Sequence, residues 1–280
     1  MSRVFDALRK SEEEIGKHPF DSPETFFDSI EKKRELLSAT KVQIHVQPEH
    51  RIVVYLEPHS PASERFRLLR TYLRDLQSAG KPKALLVTSA LPGDGKTTVA
   101  TNLATVLAEQ GGCRVLLLEA DLRHPSLTRR WGLRPWDGLA ECLQNDSDPC
   151  SFTRFVEPLG IHVLTAGNHA VNPIELLHFE RYSRLIQSLV SKFDWLIVDC
   201  PPAIPVADAL TLKGAADATL LVMRAGHTPR QAVEDTIKKF GPGHVIGIIL
   251  NSAESAGDMY SDYYLQAAPG SADHPFERDN

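Results

Sequence analysis

No stretch of this sequence approaches the ~20 consecutive apolar residues that span a bilayer. The amino-terminal stretch from Met1 to Gly16 carries acidic residues where a signal peptide would need an apolar run. Cysteine is scarce: Cys113, Cys142, Cys150 and Cys200 are scattered, with no Cys-x-x-Cys pair and no histidine nearby at metal-ligand spacing. That argues against a zinc site and a disulfide framework, and for reduced, structural thiols. An excess of positive charge is also missing, since 31 Lys and Arg against 36 Asp and Glu leave a net charge of −5. Broad nucleic-acid binding usually needs a strongly basic face, so no nucleic-acid partner is expected. The chain is read as cytoplasmic, reaching a membrane only through a partner.

The 42% hydrophobic content over 280 residues is enough to build a core without staples. Residues 3–15 predict a short amphipathic helix, with Val4, Phe5 and Leu8 on one side. From 16 to 60 periodicity fades, prolines punctuate the chain, and only Ile52–Leu56 reads as a strand. Residues 1–60 are therefore taken as a helix and a loose arm. Phe66, Leu69, Leu73 and Leu76 then predict a helix over 62–78. Apolar runs alternate with helical stretches after it: Ala84–Ser89, Val115–Leu118, His162–Thr165, Trp195–Asp199, Thr219–Met223 and Val245–Leu250. Several are apolar nearly throughout, as strands buried on both faces of a parallel sheet must be. The expected fold class is α/β, a doubly wound and mostly parallel sheet flanked by helices, over residues 61–252. Residues 253–280 lose this pattern and form a polar tail.

The first strand runs directly into Ala90-Leu-Pro-Gly-Asp-Gly-Lys-Thr97, with a helix expected over Thr98–Glu109. This is a phosphate loop with Ala in its first position. Gly93 and Gly95 let backbone N–H groups turn inward around phosphate oxygens, and the helix presents its positive end. Pro92, Gly93, Asp94, Gly95, Lys96, Thr97 and Thr98 are therefore the nucleotide-binding candidates. Lys96 is placed for the β- and γ-phosphates and the Thr97 hydroxyl for Mg²⁺, which makes ATP and Mg²⁺ the implied cofactors.

Two later strands end in acids, at Glu119-Ala-Asp121-Leu-Arg123 and at Asp199-Cys-Pro-Pro202. Carboxyl ends of neighbouring parallel strands converge on one crevice, which gathers Glu119, Asp121 and Asp199 beside the phosphate loop. Asp199, closing a hydrophobic strand, suits the metal. Glu119 and Asp121 are the candidates for orienting or deprotonating an attacking hydroxyl. Arg123 either neutralises phosphate charge or pairs with a neighbouring acid.

Taken as a set, these motifs resemble those of the bacterial tyrosine kinases that accompany capsule and exopolysaccharide synthesis, within the P-loop ATPases similar to MinD and ParA. That family follows its phosphate loop with Asp-x-Asp-x-Arg and with Asp-x-Pro-Pro, here Glu119–Arg123 and Asp199–Pro202. Its Glu-x-x-Arg-x-x-Arg oligomerisation helix is matched by Glu64, Arg67 and Arg70, and its other segments by Asn172–Leu177 and Val222–Thr228. The resemblance implies a ring of subunits that contact through Glu64, Arg67 and Arg70 and phosphorylate one another's tails. It also implies a membrane chain-length or export protein as partner. Tyr260, Tyr263 and Tyr264 cluster in the tail as phosphoacceptor candidates. By the family pattern the first acid meets the tyrosine hydroxyl while Asp121 supports the metal. Relatives usually carry Asp where this chain has Glu119, a side chain one methylene longer.

Two other readings share these motifs. The positioning ATPases similar to MinD and ParA use a second lysine where this chain has Leu91, and their membrane-binding form ends in a basic amphipathic helix. The tail here is acidic and broken by Gly and Pro. An ATP-binding regulatory subunit that switches an export partner without phosphorylating it is the third reading.

Overall fold

The computed structural model describes residues 39–80, 82–109, 113–168, 173–177, 179–204 and 208–253. The expected helix over 3–15 and the tail tyrosines Tyr260, Tyr263 and Tyr264 lie outside these residues. The chain divides into two units, 1–40 and 41–280, and the elements described below belong almost wholly to the second.

In chain order the elements are β1 (Thr40–Val42), α1 (Val53–Leu56), α2 (Pro61–Ser78), β2 (Ala84–Ser89), α3 (Lys96–Ala108) and β3 (Val115–Glu119). They continue with α4 (Leu127–Arg130), α5 (Leu139–Asn145), β4 (Arg154–Val156), β5 (Ile161–Leu164), α6 (Pro173–Leu176) and α7 (Phe179–Lys192). The chain closes on β6 (Trp195–Asp199), α8 (Asp208–Lys213), β7 (Ala218–Arg224), α9 (Arg230–Phe240) and β8 (Val245–Asn251). Short 3₁₀ turns join several of them.

Among the described residues the strands form one sheet of eight in the order β1-β4-β5-β3-β6-β2-β7-β8. The pairs β5–β3, β3–β6, β6–β2, β2–β7 and β7–β8 are parallel, and β4 runs antiparallel to β5. Every residue of β2, β3, β5 and β6 is buried. Their continuous apolar runs have that cause, because helices cover both faces of a parallel sheet. Helix α3 buries all but Lys96 and Thr98, so it is a central helix rather than a half-wet one. Among the described residues no helix is long and apolar enough to cross a membrane.

Helix α2 starts at Pro61, with Ser60 as its cap: the Ser60 hydroxyl accepts from the Ser63 N–H at 3.2 Å. Its stripe seats Leu73 fully in the core and packs Phe66, Leu69 and Leu76 against it.

The sequence reading of 41–60 needs correction. Ile44, Ile52 and Val54 are buried in the main core, so this stretch packs rather than hanging loose. Residues 53–56 are a helical turn, not a strand. Asn102 of α3 explains the difference, since its side chain accepts from Val54 N–H at 3.2 Å and donates to the Arg51 carbonyl at 2.8 Å. A side chain reaching out of the core captures the backbone groups that a strand would have given to a sheet.

Candidate active site

Strand order and register bring the acids together. Glu119 and Asp199 are paired residues at the ends of adjacent parallel strands β3 and β6, and β2 with its phosphate loop lies on the other side of β6. The Ala120 N–H donates to the Asp199 carbonyl at 2.8 Å, which fixes the two strand ends side by side.

The loop between β2 and α3 turns through Gly93 at φ 85° and Gly95 at φ 95°, left-handed conformations that glycine adopts without penalty. A Cβ on Gly95 would also collide with the Asn251 side-chain amide, which would have to shift. Gly95 is the N-cap of α3 and offers no side-chain acceptor to the first turn. The leading amides of a thirteen-residue helix are thus left for a ligand.

Lys96 reaches Asp121, with Nζ 3.1 Å from Oδ2. Burial works against its charge, yet Asp199 and Asp121 together outweigh that and hold its pKa above the ordinary lysine value. It remains an ammonium. Asp121 Oδ1 accepts from the His124 N–H at 3.0 Å.

Asp199 is fully buried, and its Oδ1 has no partner among the described residues. Burial pushes its carboxyl up to about 7, against the attraction of Lys96 and a hydrogen bond from Thr97. A buried oxygen without a donor is costly unless something else occupies its lone pairs. Two carboxylates, Asp121 and Asp199, act on the single Lys96 ammonium here. The donor set fits a hard cation held jointly with a phosphate ligand.

Glu119 stands at the strand end where it was expected, but its carboxylate has other partners than a substrate hydroxyl. Its Oε1 accepts from the Ser126 N–H at 2.5 Å and the Leu127 N–H at 2.8 Å, and its Oε2 from the Ala166 N–H at 3.1 Å. Burial raises its pKa while these three amides pull the other way. The carboxylate thereby ties the start of α4 and the end of β5 to β3, and its oxygens are committed to backbone rather than to an incoming hydroxyl.

Arg123 resolves toward the second of its two expected roles. Its Nε donates to Asp208 Oδ2 at 2.6 Å and its Nη2 to Oδ1 at 3.2 Å, a bidentate pair at the start of α8. Thr98 accepts from Arg130 Nη1 at 3.2 Å, which brings to the phosphate-loop helix a cation from α4 that no motif singles out. Asp94 turns its carboxylate to Thr228 and Leu91, and Asn251 joins it from β8. Thr228 lay inside a segment already noted for its resemblance, but Asn251 carried no signal.

Away from the crevice, Arg67 and Arg70 converge on Glu109 at the C-cap of α3. Arg67 Nη2 lies 3.0 Å and Arg70 Nη1 2.6 Å from its carboxylate, and Arg67 also pairs with Glu64 at 2.5 Å. Helix α2 exposes Leu68 and Tyr72, at 62% and 50%, and α1 exposes Tyr55.

Comparison with known proteins places this geometry. The family model described as ParA, a NUBPL iron-transfer P-loop NTPase, matches residues 81–251. Tyrosine-protein kinase YwqD of Bacillus subtilis (strain 168) is 32% identical over 218 residues, which cover 77% of this chain and 92% of that protein. The succinoglycan biosynthesis transport protein ExoP of Rhizobium meliloti (strain 1021) is 31% identical over 245 residues, 85% of this chain and 30% of its own length. The kinase domain of Escherichia coli tyrosine kinase ETK superposes with a TM-score of 0.66 at 29% identity, covering 74% of this chain and 83% of that domain. The chain thus spans nearly all of YwqD and under a third of ExoP.

Proposed function

Because this chain belongs to the bacterial tyrosine-protein kinases, whose catalytic domain is a ParA-like P-loop NTPase, we propose that it phosphorylates its own tail tyrosines in trans, using Mg-ATP. The observation that carries this reading is the Lys96–Asp121 pair at the mouth of a glycine-turned loop, beside an Asp199 oxygen that lacks a partner.

When bound, Mg-ATP would supply the transferable phosphoryl group and the cation that spreads its charge. Backbone amides of 93–98 and the Lys96 ammonium would hold the phosphates, and Thr97 and Asp199 would hold the cation. Lys96, paired with Asp121 in this structure, would be shared with the phosphates. Asp121, whose Oδ2 pairs with Lys96 here, would orient the tyrosine hydroxyl and receive its proton. Glu119 positions the wall of the site by holding α4 and the Ala166 amide. Tyr260, Tyr263 and Tyr264 are the acceptors under this reading. The Glu64, Arg67 and Arg70 face, with Leu68 and Tyr72 beside it, forms the contact between subunits of a ring. A cytoplasmic chain recruited by a membrane chain-length or export protein fits its similarity to ExoP, a succinoglycan biosynthesis transport protein.

A second reading has one observation in its favour. With Glu119 committed to three amides, the chain would serve as an ATP-binding regulatory subunit that transfers nothing. One experiment separates the two. Wild-type and Lys96→Met protein are incubated with labelled ATP and Mg²⁺, with and without the cytoplasmic part of an export partner, and phosphopeptides are mapped. Lysine-dependent label on the tail tyrosines is expected; its absence in every mixture leaves the regulatory subunit standing.

A further inference from the structure

Asp94 occupies a position of the phosphate loop that the motif leaves free, and a carboxylate there stands next to a site meant for phosphate. Like charges at such separations repel strongly where water is partly excluded. In this structure Asp94 is wholly buried, and its contacts come from its own loop and from the ends of β7 and β8. Its Oδ1 accepts from Thr228 Oγ1 at 2.6 Å, its Oδ2 from the Leu91 N–H at 3.1 Å, and its carbonyl from Asn251 Nδ2 at 2.9 Å.

Thr228 is itself held in place. Its Oγ1 accepts from the Arg224 N–H at 2.8 Å, and its own N–H donates to the Arg224 carbonyl at 3.0 Å. The hydroxyl has one proton, and the Arg224 amide occupies its acceptor side, so that proton goes to Asp94. Asn251 is anchored in the same way, its carbonyl accepting from the Ala225 N–H at 2.9 Å. The turn after β7 therefore reaches across the sheet end to set the loop that follows β2.

We propose that Thr228 is a positioning residue for nucleotide binding: its hydroxyl holds the Asp94 carboxylate turned away from the phosphate cradle, so the loop is set before nucleotide arrives. The inference rests on reading 92–98 as a nucleotide-binding loop. A threonine that only stabilised its own turn would affect folding and leave nucleotide affinity alone. A latch acting through Asp94 predicts instead that removing the Asp94 charge relieves the damage done by removing the hydroxyl.

The test titrates full-length protein with fluorescent mant-ADP in Mg²⁺, with melting curves alongside. Thr228→Ser should bind within about threefold of wild type. Thr228→Val should bind about 10- to 100-fold more weakly, the loss expected for one hydrogen bond to a charged group. Adding Asp94→Asn to Thr228→Val should recover most of that loss. Should valine not fold there, Thr228→Ala removes the same hydroxyl without filling its place. Wild-type affinity in the valine and alanine variants overturns the latch while the binding loop stands, as does a double variant no tighter than the single. Failure of the wild type to bind mant-ADP overturns the nucleotide reading and the latch with it.

Discussion

Arg70 Nη1 lies 2.6 Å from Glu109 Oε2, so the helix bearing the arginine motif is tied to the far end of the helix that begins at the phosphate loop. Arg67 joins the same carboxylate from one turn earlier. The two ends of α3 thus carry the two motifs, the arginine cluster at its C-cap Glu109 and the glycine-rich loop at its start.

Glu109 gives this link a pH signature. Burial pushes its carboxyl up, but the Arg67 hydrogen bond and the charges of Arg67 and Arg70 outweigh that and hold it below its ordinary 4.5. A depressed folded value means stability present above about pH 4.5 and lost as pH falls through the folded value. Glu109→Gln should therefore cost about 1 kcal/mol at pH 7, a figure kept small because the cluster is partly wet. In urea unfolding the gap to wild type should shrink as pH falls below 4.5. A gap as large at pH 3.5 as at pH 7 would count against the ion cluster.

The same cluster bears on the proposed ring. Arg67→Ala combined with Arg70→Ala should shift a large assembly toward monomer in sedimentation velocity at pH 7. It should also lower the melting temperature, because Glu109 loses both cations. Unchanged mass with a lowered melting temperature would confine the arginines to bracing their own subunit.

Glu119 is predicted to matter for the fold as much as for the chemistry. Its two oxygens satisfy three backbone amides from two separate segments. Glu119→Ala leaves those buried donors bare, at a cost of about 3 kcal/mol or more. A carboxylate whose only task was to meet a substrate hydroxyl would leave the melting temperature where it was. Differential scanning calorimetry of the nucleotide-free variant decides between them.

Asp199 should show the opposite sign. At pH 8 its buried carboxylate is ionised, and one oxygen has no partner. Asp199→Asn removes that charge, so nucleotide-free protein should become more stable by about 1–3 kcal/mol, a gain typical of relieving a functional site. Mg²⁺ should then no longer tighten ADP binding. A variant that melts below wild type would show the charge to be compensated already.

Much of the fold was legible because β2, β3 and β6 are buried on both faces and carry unbroken apolar runs. The phosphate loop was legible because its glycines and lysine are adjacent in sequence. The two three-residue strands, β1 and β4, are too short to carry a period. Ile52-Val-Val-Tyr-Leu56 reads as a strand by residue type, and it took Asn102, some fifty positions on, to make 53–56 helical. Contacts that join distant segments gave no local signal at all. Thr228 lies 134 residues from Asp94, and Ala166 lies 47 from Glu119. Glu119 and Arg123 were located correctly in sequence while their partners were not.

Arg123 supplies the last prediction, because its two candidate roles separate cleanly in measurement. Asp208 is buried at the start of α8, and both of its oxygens are met by the Arg123 guanidinium. Removing the cation strands a buried carboxylate, which is far costlier than losing an exposed pair. Arg123→Ala should therefore lower stability by about 2–3 kcal/mol, and Asp208→Asn in the same background should return part of it, since the stranded charge is gone. A phosphate-binding arginine would behave differently, weakening mant-ADP binding about tenfold or more with little change in melting, and Asp208→Asn would not rescue it. The bidentate geometry commits Arg123 to the first pattern.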